Sequence, residues 1–223
     1  MIIAIDGPAG SGKSSTARAV ADRLGFRHLD SGAFYRAITC AAMKRDMPAS
    51  DWQELSAEQL EALNVEGRAA GRGFRMFIDG QDASREIRQA EVNANVSTMA
   101  RVPAVRDWLL DTLRAAARSN DLVADGRDMG TVVFPGAELK VFLVADPAER
   151  ARRRLLQMGL PTDDASVEAE VLRIEERDRT DANRATAPLR QAGDARVLDT
   201  TGLSFEEQVE RIVAWARELR AEG

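Results

Sequence analysis

The feature that most constrains this chain is the stretch Gly7-Pro8-Ala9-Gly10-Ser11-Gly12-Lys13-Ser14 near its start. It fits the pattern G-x-x-x-x-G-K-[ST], in which a glycine-rich backbone wraps around phosphate groups. The apolar run Ile2-Ile3-Ala4-Ile5 before it predicts a buried strand, and the apolar residues after it recur at helical spacing. A loop between a strand and a helix start directs backbone N–H groups at an anion. The sequence therefore predicts a nucleotide-phosphate site from Gly7 to Ser15, with Lys13 on the β/γ-phosphates and the Ser14 hydroxyl on Mg²⁺.

The alternative to a phosphate site is a chance match in a flexible turn. A window of this type occurs in well under about 1% of chains of this length at ordinary residue frequencies. Lysine is also rare, since the chain has only Lys13, Lys44 and Lys140, and one of the three stands in the loop. We therefore interpret the stretch as a phosphate-binding loop.

Length and composition narrow the class of protein. A chain of 223 residues with 44% apolar and 30% charged residues is typical of a globular protein with one core and a small insertion. No apolar run is long enough for a membrane span, and because the first residues lead directly into a predicted strand, we expect no signal peptide. The net charge of −5 argues against nucleic-acid binding, and the single cysteine, Cys40, fits a reducing compartment. We expect a cytoplasmic protein, most simply a monomer.

Short apolar runs alternate with helical patterns along the chain. The predicted core strands are Ile2–Ile5, Arg27–Asp30, Leu122–Asp125, Leu139–Val144 and Arg196–Asp199. Strands that alternate with helices form a parallel sheet with both faces covered, so the predicted fold class is a three-layer α/β/α sandwich with five parallel strands. Ligands of such sheets bind at the carboxyl ends of the strands. The phosphate-binding loop, Ser31–Arg36 and Gly126–Gly130 each follow a strand, and we expect them to form one site.

The segments between the strands complete the prediction. The glycine-rich segment Asn64–Ser84, with an Asp79-Gly80 turn signal, predicts a small β-rich insertion of two or three strands. The helices are predicted over residues 50–63, with capping boxes at Ser50/Gln53 and Ser56/Gln59, and over Ser84–Ala100, Ala104–Ser119, from Pro147 to near Gly159, Ser166–Asp178 and from Ser204 onwards. The stretch from Asp178 to Arg190 is predicted to be irregular and rich in arginine.

Three chemically distinctive side chains are predicted to have structural roles. His28, the only histidine, has no partners at metal-ligand spacing and reads as a hydrogen-bonded strand residue. Cys40 reads as a small buried residue, and Trp108 lies on the apolar face of its helix.

A phosphate-binding loop alone does not distinguish a kinase from a GTPase or a motor ATPase. The chain lacks the N/T-K-x-D guanine-reading motif, and no strand ends in apolar residues followed by Asp-Glu. The arginine-rich region 160–190 is typical of a mobile lid over ATP. Arginines near residues 30–36 and 125–130 suit a second phosphate group, which a guanidinium holds bidentately. These features favour a kinase. A regulatory nucleotide-binding module, in which the arginines form surface ion pairs, is the alternative.

Four motifs extend over the chain. They are Ile5–Ser14, Asp30-Ser31-Gly32-Ala33-Phe34-Tyr35-Arg36, Asp125-Gly126-Arg127-Asp128-Met129-Gly130-Thr131-Val132-Val133-Phe134-Pro135, and Arg177-Asp178 with Asp181-Ala182-Asn183-Arg184. The first is shared by many proteins, whereas the third, at eleven residues, is close to diagnostic. Together they make the chain resemble the bacterial cytidylate kinases, within the nucleoside monophosphate kinases, over essentially its whole length.

The resemblance implies transfer of the γ-phosphoryl group of ATP, with Mg²⁺, to CMP or dCMP. A kinase for UMP or dTMP is the alternative within the enzymes. By similarity, the acceptor phosphate is held by Ser31, Arg36 and Arg127, and the cytosine is contacted by Ser97, Arg106 and Asp128. The pentose is contacted by Arg177, Asp181 and Arg184. Tyr35 also belongs to the acceptor site. The implied catalytic residues are Lys13, Arg127 and Arg184.

The resemblance also implies a division of the single kinase domain. The core comprises residues 1–63, 101–157 and 191–223, the monophosphate-binding insertion about 64–100, and the helical lid about 158–190.

Asp128 is predicted to select the base. A carboxylate only accepts hydrogen bonds, so it suits the amino group of cytosine and repels the carbonyl of uracil. Arg106, which only donates, would face the acceptors of the ring. The alternative is that Asp128 merely pairs with a neighbouring arginine.

Overall fold

The computed structural model describes residues 1–118 and 121–222, which form two sheets with surrounding helices. The strands are β1 (Ile2–Asp6), β2 (Arg27–Asp30), β3 (Val65–Ala70), β4 (Gly73–Ile78), β5 (Gln81–Asp82), β6 (Leu122–Gly126), β7 (Leu139–Val144) and β8 (Arg196–Asp199). The α-helices are α1 (Lys13–Leu24), α2 (Ser31–Lys44), α3 (Ala57–Ala62), α4 (Ala90–Met99), α5 (Pro103–Ala117), α6 (Pro147–Met158), α7 (Asp164–Ala182) and α8 (Phe205–Glu222). Five parallel strands form the central sheet in the order β2-β6-β1-β7-β8, as predicted.

Alternate residues of the central strands enter two separate apolar layers. On β1, Ile3 and Ile5 pack on one side of the sheet and Ala4 packs on the other, because successive side chains of a strand point to opposite faces. α1 and α8 cover the first side, where Val20 and Ile212 are completely buried. α2 and α5 cover the second side. The sheet is therefore covered on both faces, and the predicted three-layer architecture is confirmed.

The small insertion forms a three-stranded antiparallel sheet in the order β3-β4-β5. Asp79 (φ 50°) and Gly80 (φ 75°) join β4 to β5, and positive φ at both positions is what a tight two-residue hairpin turn requires. The turn between β3 and β4 lies against the outer edge of β2, where the Arg72 carbonyl accepts a hydrogen bond from the His28 N–H at 2.6 Å. The insertion is thus attached to the edge of the central sheet.

The helix predicted from residue 50 is divided into two elements. A 3₁₀ helix, Ala49–Glu54, comes first, and α3 follows. The capping box of α3 is confirmed, because the Ser56 N–H donates to Gln59 Oε1 at 2.9 Å and the Ser56 hydroxyl caps the helix. The box predicted at Ser50 is wrong, because Ser50 lies inside the 3₁₀ helix and its hydroxyl donates to Asp51.

Two further helices differ from the prediction at their ends. The segment Ser84–Ala100 begins with a 3₁₀ turn at Glu86–Arg88 before α4 starts. The helix predicted over Ala104–Ser119 is α5, which ends at Ala117, and Ser119 lies outside the described residues. Cys40 is buried, as predicted.

The largest difference lies in the arginine-rich region. The helix there was expected to end at Asp178 and irregular chain to follow, yet α7 continues for a further turn. Its start is capped by Asp163, whose side chain accepts a backbone hydrogen bond at 3.0 Å. Arg177, Asp178 and Asp181 are therefore held by a helix, and only the residues after α7 are irregular.

Within residues 1–118 and 121–222, no helix combines the length and the apolar character that a membrane span requires.

Candidate active site

A cavity of about 480 Å³ opens at the carboxyl ends of β1, β2 and β6. The predicted residues that line it are Ala9, Gly10, Gly12, Lys13, Ser14, Ser15, Ser31, Tyr35, Arg36, Ser97, Arg106, Arg127, Asp128, Arg177, Asp181 and Arg184. The loops that follow the three strands therefore line one cavity. Gly7, Pro8 and Ser11 belong to the loop but do not line the cavity.

The phosphate-binding loop needs glycine because other parts of the chain approach its backbone closely. A Cβ added to Gly7 would stand 2.2 Å from the carbonyl oxygen of Leu143 on β7. Gly10 has φ +74°, and a Cβ there would stand 2.9 Å from the carbonyl oxygen of Arg150 on α6. Side chains at these positions would push the loop away from the sheet and from α6.

Lys13 is buried within the loop. Its Nζ donates to the carbonyl oxygen of Pro8 at 2.6 Å and lies 3.4 Å from the Ser11 hydroxyl. The pKa of Lys13 is well below its usual range, because burial disfavours the charged ammonium and Arg127 repels it. A bound anion would relieve both effects.

Ser14 faces a carboxylate that sequence reasoning did not single out. Its Oγ donates to Asp125 Oδ2 at 2.5 Å, and the other oxygen, Oδ1, lies 2.7 Å from His28 Nε2. Two oxygen donors of the kind that Mg²⁺ prefers thus stand together at the start of α1. Among the described residues there is no group of three or more His, Cys, Asp or Glu side chains arranged to hold a metal ion.

The far side of the loop is clamped by α6 and α7. Asp178 Oδ1 accepts from the Ala9 N–H at 2.7 Å, and Arg150 both pairs with Asp178 and donates to the Ala9 carbonyl at 2.9 Å. Both helices are therefore attached directly to the phosphate-binding loop.

On the opposite side of the cavity, Asp30 organises the start of α2. Its carboxylate caps the helix by accepting from the Ala33 N–H at 2.9 Å, and it pairs with Arg36 at 2.9 Å and Arg88 at 3.1 Å. Burial alone would raise the pKa of Asp30, but the two guanidinium groups hold it below its usual value. Ser31 is fixed by its hydroxyl, which donates to the Asp125 carbonyl at 2.8 Å.

Two buried ion-pair groups close the end of the cavity. Arg127 Nε donates to Asp181 Oδ2 at 2.8 Å, and Arg184 pairs with the other oxygen of Asp181. These arginines outweigh the effect of burial and keep the pKa of Asp181 below its usual value. Asp128 pairs with Arg106, yet burial, opposed by that arginine, raises the pKa of Asp128.

The cavity carries a surplus of positive charge. The cations that line it are Lys13, Arg36, Arg88, Arg106, Arg127, Arg154, Arg177 and Arg184, and the carboxylates are Asp30, Asp125, Asp128 and Asp181. Eight formal positive charges thus face four negative ones in a chain whose net charge is −5. Such focusing of one sign of charge in a cleft attracts a ligand of the opposite sign. The cavity is therefore suited to a polyanion.

Arg177 is a cation of the cavity whose guanidinium is incompletely hydrogen-bonded. In the part of the chain that the structure describes, its buried Nε has no hydrogen-bond partner. Burial, followed by repulsion from Arg127, lowers the pKa of Arg177 to about 10. Its guanidinium is thus available to a phosphate group.

A family model described as cytidylate kinase matches residues 3–218. The chain belongs to the cytidylate kinase family. The cytidylate kinase of Pseudomonas syringae pv. tomato is 46% identical over 215 residues, which are 96% of this chain and 93% of that protein. The cytidylate kinase of Vibrio cholerae is 44% identical, with 96% and 95% covered, and that of Pelotomaculum thermopropionicum is 44% identical, with 95% and 94% covered.

Solved structures show the same architecture at low sequence identity. An uncharacterized protein from Eubacterium ventriosum has a TM-score of 0.55 at 12% identity, with 98% of both chains covered. A gluconokinase from Sinorhizobium meliloti has a TM-score of 0.50 at 16% identity, with 98% of this chain and 93% of that chain covered. This likeness concerns the fold alone.

Several lining residues of this member of the cytidylate kinase family were not predicted. They are Asp30, Arg88, Asn93, Asp125, Arg154, Gln157 and Met158. Asp30 and Asp125 lie inside motifs, but nothing in the motifs indicates what their side chains contact. Arg88 lies outside every motif, and in a chain so rich in arginine such a residue carries no signal. Arg154 was left unassigned because the region around it is the part of the chain least similar to the family.

Proposed function

We propose that the protein transfers the γ-phosphoryl group of ATP to CMP or dCMP, giving ADP and CDP or dCDP, as a step of pyrimidine nucleotide metabolism. The observation that carries the proposal is one cavity with a phosphate-binding loop at one end and a second group of arginines at the other. Two polyanions can bind there with their phosphates facing each other, and membership of the cytidylate kinase family indicates which two.

The donor occupies the side of the cavity formed by the phosphate-binding loop. The backbone N–H groups from Gly7 to Ser15 surround the triphosphate, and Lys13 leaves the Pro8 carbonyl to contact the β- and γ-phosphates. Arg154, Gln157 and Met158 line the cavity on the same side and would lie beside the rest of ATP.

Ser14 and Asp125 fit the requirements of a magnesium site. Mg²⁺ takes few protein ligands, prefers oxygen, and completes its shell with phosphates and water, so a hydroxyl and a carboxylate 2.5 Å apart are sufficient. When bound, Mg²⁺ neutralises charge on the β- and γ-phosphates. Asp125 would help to hold the metal ion through Oδ2, the oxygen that accepts from the Ser14 hydroxyl in the ligand-free protein.

The acceptor occupies the side nearer α2, α4 and α5. Ser31, Arg36 and Arg127 bind its phosphate, with Arg36 released in part from Asp30. The cytosine lies against Ser97, Arg106 and Asp128, beside the ring of Tyr35, and the pentose lies near Arg177, Asp181 and Arg184.

The reaction needs no general base. The attacking atom is an oxygen of the acceptor phosphate that already carries negative charge, so no proton has to be removed from an alcohol. The barrier is the repulsion between two polyanions and the charge that spreads over the transferred group. Lys13, Arg127 and Arg184 lower it by positioning the reactants and stabilising that charge.

The insertion at about 64–100 and the helical segment at about 158–190 are proposed to close over the substrates as acceptor-binding unit and lid. Closure would exclude water and so limit hydrolysis of ATP. Because residues of one chain supply both sides of the cavity, we propose that a monomer is active, and the single buried thiol of Cys40 suits the cytoplasm.

The test is a panel of acceptors with the purified protein, ATP and Mg²⁺. CMP and dCMP are expected to give kcat/KM values at least roughly tenfold above those of UMP and dTMP, since buried polar groups discriminate strongly between such bases. A preference for UMP or dTMP would contradict the assigned acceptor. ATP binding without transfer to any acceptor would instead support a regulatory module.

A further inference from the structure

We propose that His28 is a positioning residue that orients the Asp125 carboxylate toward Ser14 and toward the metal ion that accompanies ATP. The inference rests on the proposed function and adds a residue to it that lies outside every motif of the phosphate-binding loop. His28 does not touch the cavity that holds the reactants, so its effect must pass through Asp125.

The first observation is the hydrogen bond between the two side chains. His28 lies on β2 and Asp125 at the end of the adjacent β6, and their side chains are only 7% and 4% exposed. The distance between His28 Nε2 and Asp125 Oδ1 is 2.7 Å. Because an ionised carboxylate can only accept, Nε2 carries the hydrogen and donates it.

The second observation is that this hydrogen bond and the Ser14 contact use different oxygens of the same carboxylate. Oδ1 accepts from His28, and Oδ2 accepts from the Ser14 hydroxyl at 2.5 Å. The terminal torsion of an aspartate is otherwise broad, so a donor on one oxygen determines where the other points. His28 therefore holds Oδ2 at the position where the metal would bind.

The third observation explains why the histidine itself is held firmly. β2 is an edge strand of the central sheet, and the turn between β3 and β4 covers its outer side. The backbone N–H of His28 donates to the Arg72 carbonyl in that turn at 2.6 Å. Backbone and side chain of His28 are thus both fixed, as a group that orients a metal ligand must be.

A purely structural role is the competing explanation, since a buried histidine with one hydrogen bond is common in cores. The two explanations differ in what a substitution changes. A structural role predicts lower stability alone, whereas a positioning role predicts weaker metal binding in protein that is still folded.

Three variants separate the explanations. In His28→Gln, the amide nitrogen stands the same number of bonds from Cα as Nε2 and can still donate to Asp125. In His28→Asn, the amide nitrogen is one bond short, and His28→Leu has no donor. We expect His28→Asn and His28→Leu to need roughly tenfold more Mg²⁺ for half-maximal turnover, while His28→Gln stays within about threefold of wild type. The KM for CMP should be unchanged.

Metal binding without turnover provides a second readout. Mn²⁺ binding is measured by electron paramagnetic resonance with an unreactive imido analogue of ATP. We expect His28→Asn and His28→Leu to bind Mn²⁺ roughly tenfold more weakly than wild type, and His28→Gln to stay within about threefold of it. Wild-type metal affinity in all three variants would overturn the proposal, as would equal losses in the Gln and Leu variants. If His28→Leu does not fold, the comparison of Gln with Asn decides. If the wild-type protein binds Mn²⁺ but phosphorylates no CMP, the proposed function is wrong. The Mn²⁺ affinities of the variants then decide whether His28 orients Asp125.

Discussion

Arg106 and Asp128 form an ion pair in which both side chains are more than nine-tenths buried, at 6% and 4% exposure. The pair uses Asp128 Oδ2, and the guanidinium also lies 5.8 Å from the centre of the Tyr35 ring. Pairing with an arginine and selection of the base are therefore compatible roles of Asp128. One carboxylate oxygen binds Arg106, and the other can accept a hydrogen bond from a base in the cavity. Burial, opposed by Arg106, raises the pKa of Asp128, because the charged carboxylate loses its contact with water.

Replacement of Asp128 by Asn tests base selection. Asparagine keeps an oxygen for Arg106 but can also turn an amide donor toward the base. We expect Asp128→Asn to weaken use of CMP and to narrow the CMP-over-UMP ratio of kcat/KM by at least about tenfold, near 1.4 kcal/mol. Asp107→Asn, on the exposed side of α5, is the matched control. A ratio within twofold of wild type would show that Asp128 does not read the base.

Lys13→Ala is expected to abolish transfer without unfolding the protein. Loss of a group that stabilises charge in the transition state costs about 3 kcal/mol or more, or over a hundredfold in kcat. Because burial and Arg127 already lower the pKa of Lys13 in the ligand-free protein, removing the ammonium should not lower the melting temperature. Turnover near that of wild type at an unchanged melting temperature would contradict the assignment.

Arg177→Gln is expected to separate the stability of the free protein from its response to ligands. The guanidinium is desolvated and repelled by Arg127, so its removal should maintain or raise the melting temperature without ligand. The same change should reduce the further rise produced by ATP and CMP together. Arg179→Gln is the control, because Arg179 lies on the same helix but is 71% exposed. Equal behaviour of the two variants in calorimetry would rule out a ligand role for Arg177.

The stability of the protein is expected to depend on pH because of the buried carboxyl group of Asp6. It accepts from the N–H groups of Met129 at 2.8 Å and Gly130 at 2.7 Å, yet burial, as the largest effect, raises the pKa of Asp6 to about 6. The protonated form of Asp6 is therefore favoured in the folded state. Its contribution to the free energy of unfolding is complete below pH 3.8, the ordinary pKa of aspartate, and is lost as the pH rises through about 6. Each tenfold change in proton affinity is worth about 1.4 kcal/mol, so the difference between a pKa of 3.8 and one of about 6 corresponds to at most about 3 kcal/mol of stability.

Urea denaturation of wild type and Asp6→Asn between pH 4 and 7.5 measures this effect. The unfolding free energy of wild type should fall relative to that of the variant over this range. Parallel curves for the two proteins would show that Asp6 does not titrate there.

Hydrogen exchange tests the proposed closure. Residues 64–84 and 158–190 should gain protection when ATP and CMP are both bound, and less with either alone. The second region carries apolar side chains that closure can cover, since Met158 and Leu160 are each 46% exposed and Leu172 is 66% exposed. Equal protection in the free and the doubly bound protein would argue against a lid.

Much of the fold was predictable because its signals are local. The five core strands, the Asp79-Gly80 turn and the cap of α3 each depend on residues that are neighbours in the chain. The same local pattern failed at Ser50, where the completely buried Trp52 lies within the segment and a 3₁₀ helix forms instead. Tertiary packing can override a capping pattern, because burying a large aromatic side chain contributes more free energy than one cap.

The sequence by itself determined the phosphate-binding loop, the parallel sheet and the motifs that meet at its carboxyl edge, since these need only strand order and glycine at set positions. Only the tertiary structure decided which side chains face each other. Ser14 meets Asp125 across 111 positions, Ala9 meets Asp178 across 169, and Arg88 reaches Asp30 across 58. The physical reason is that a hydrogen bond or ion pair requires two groups within about 3 Å, and the packing of helices on the sheet sets such distances between residues far apart in the chain.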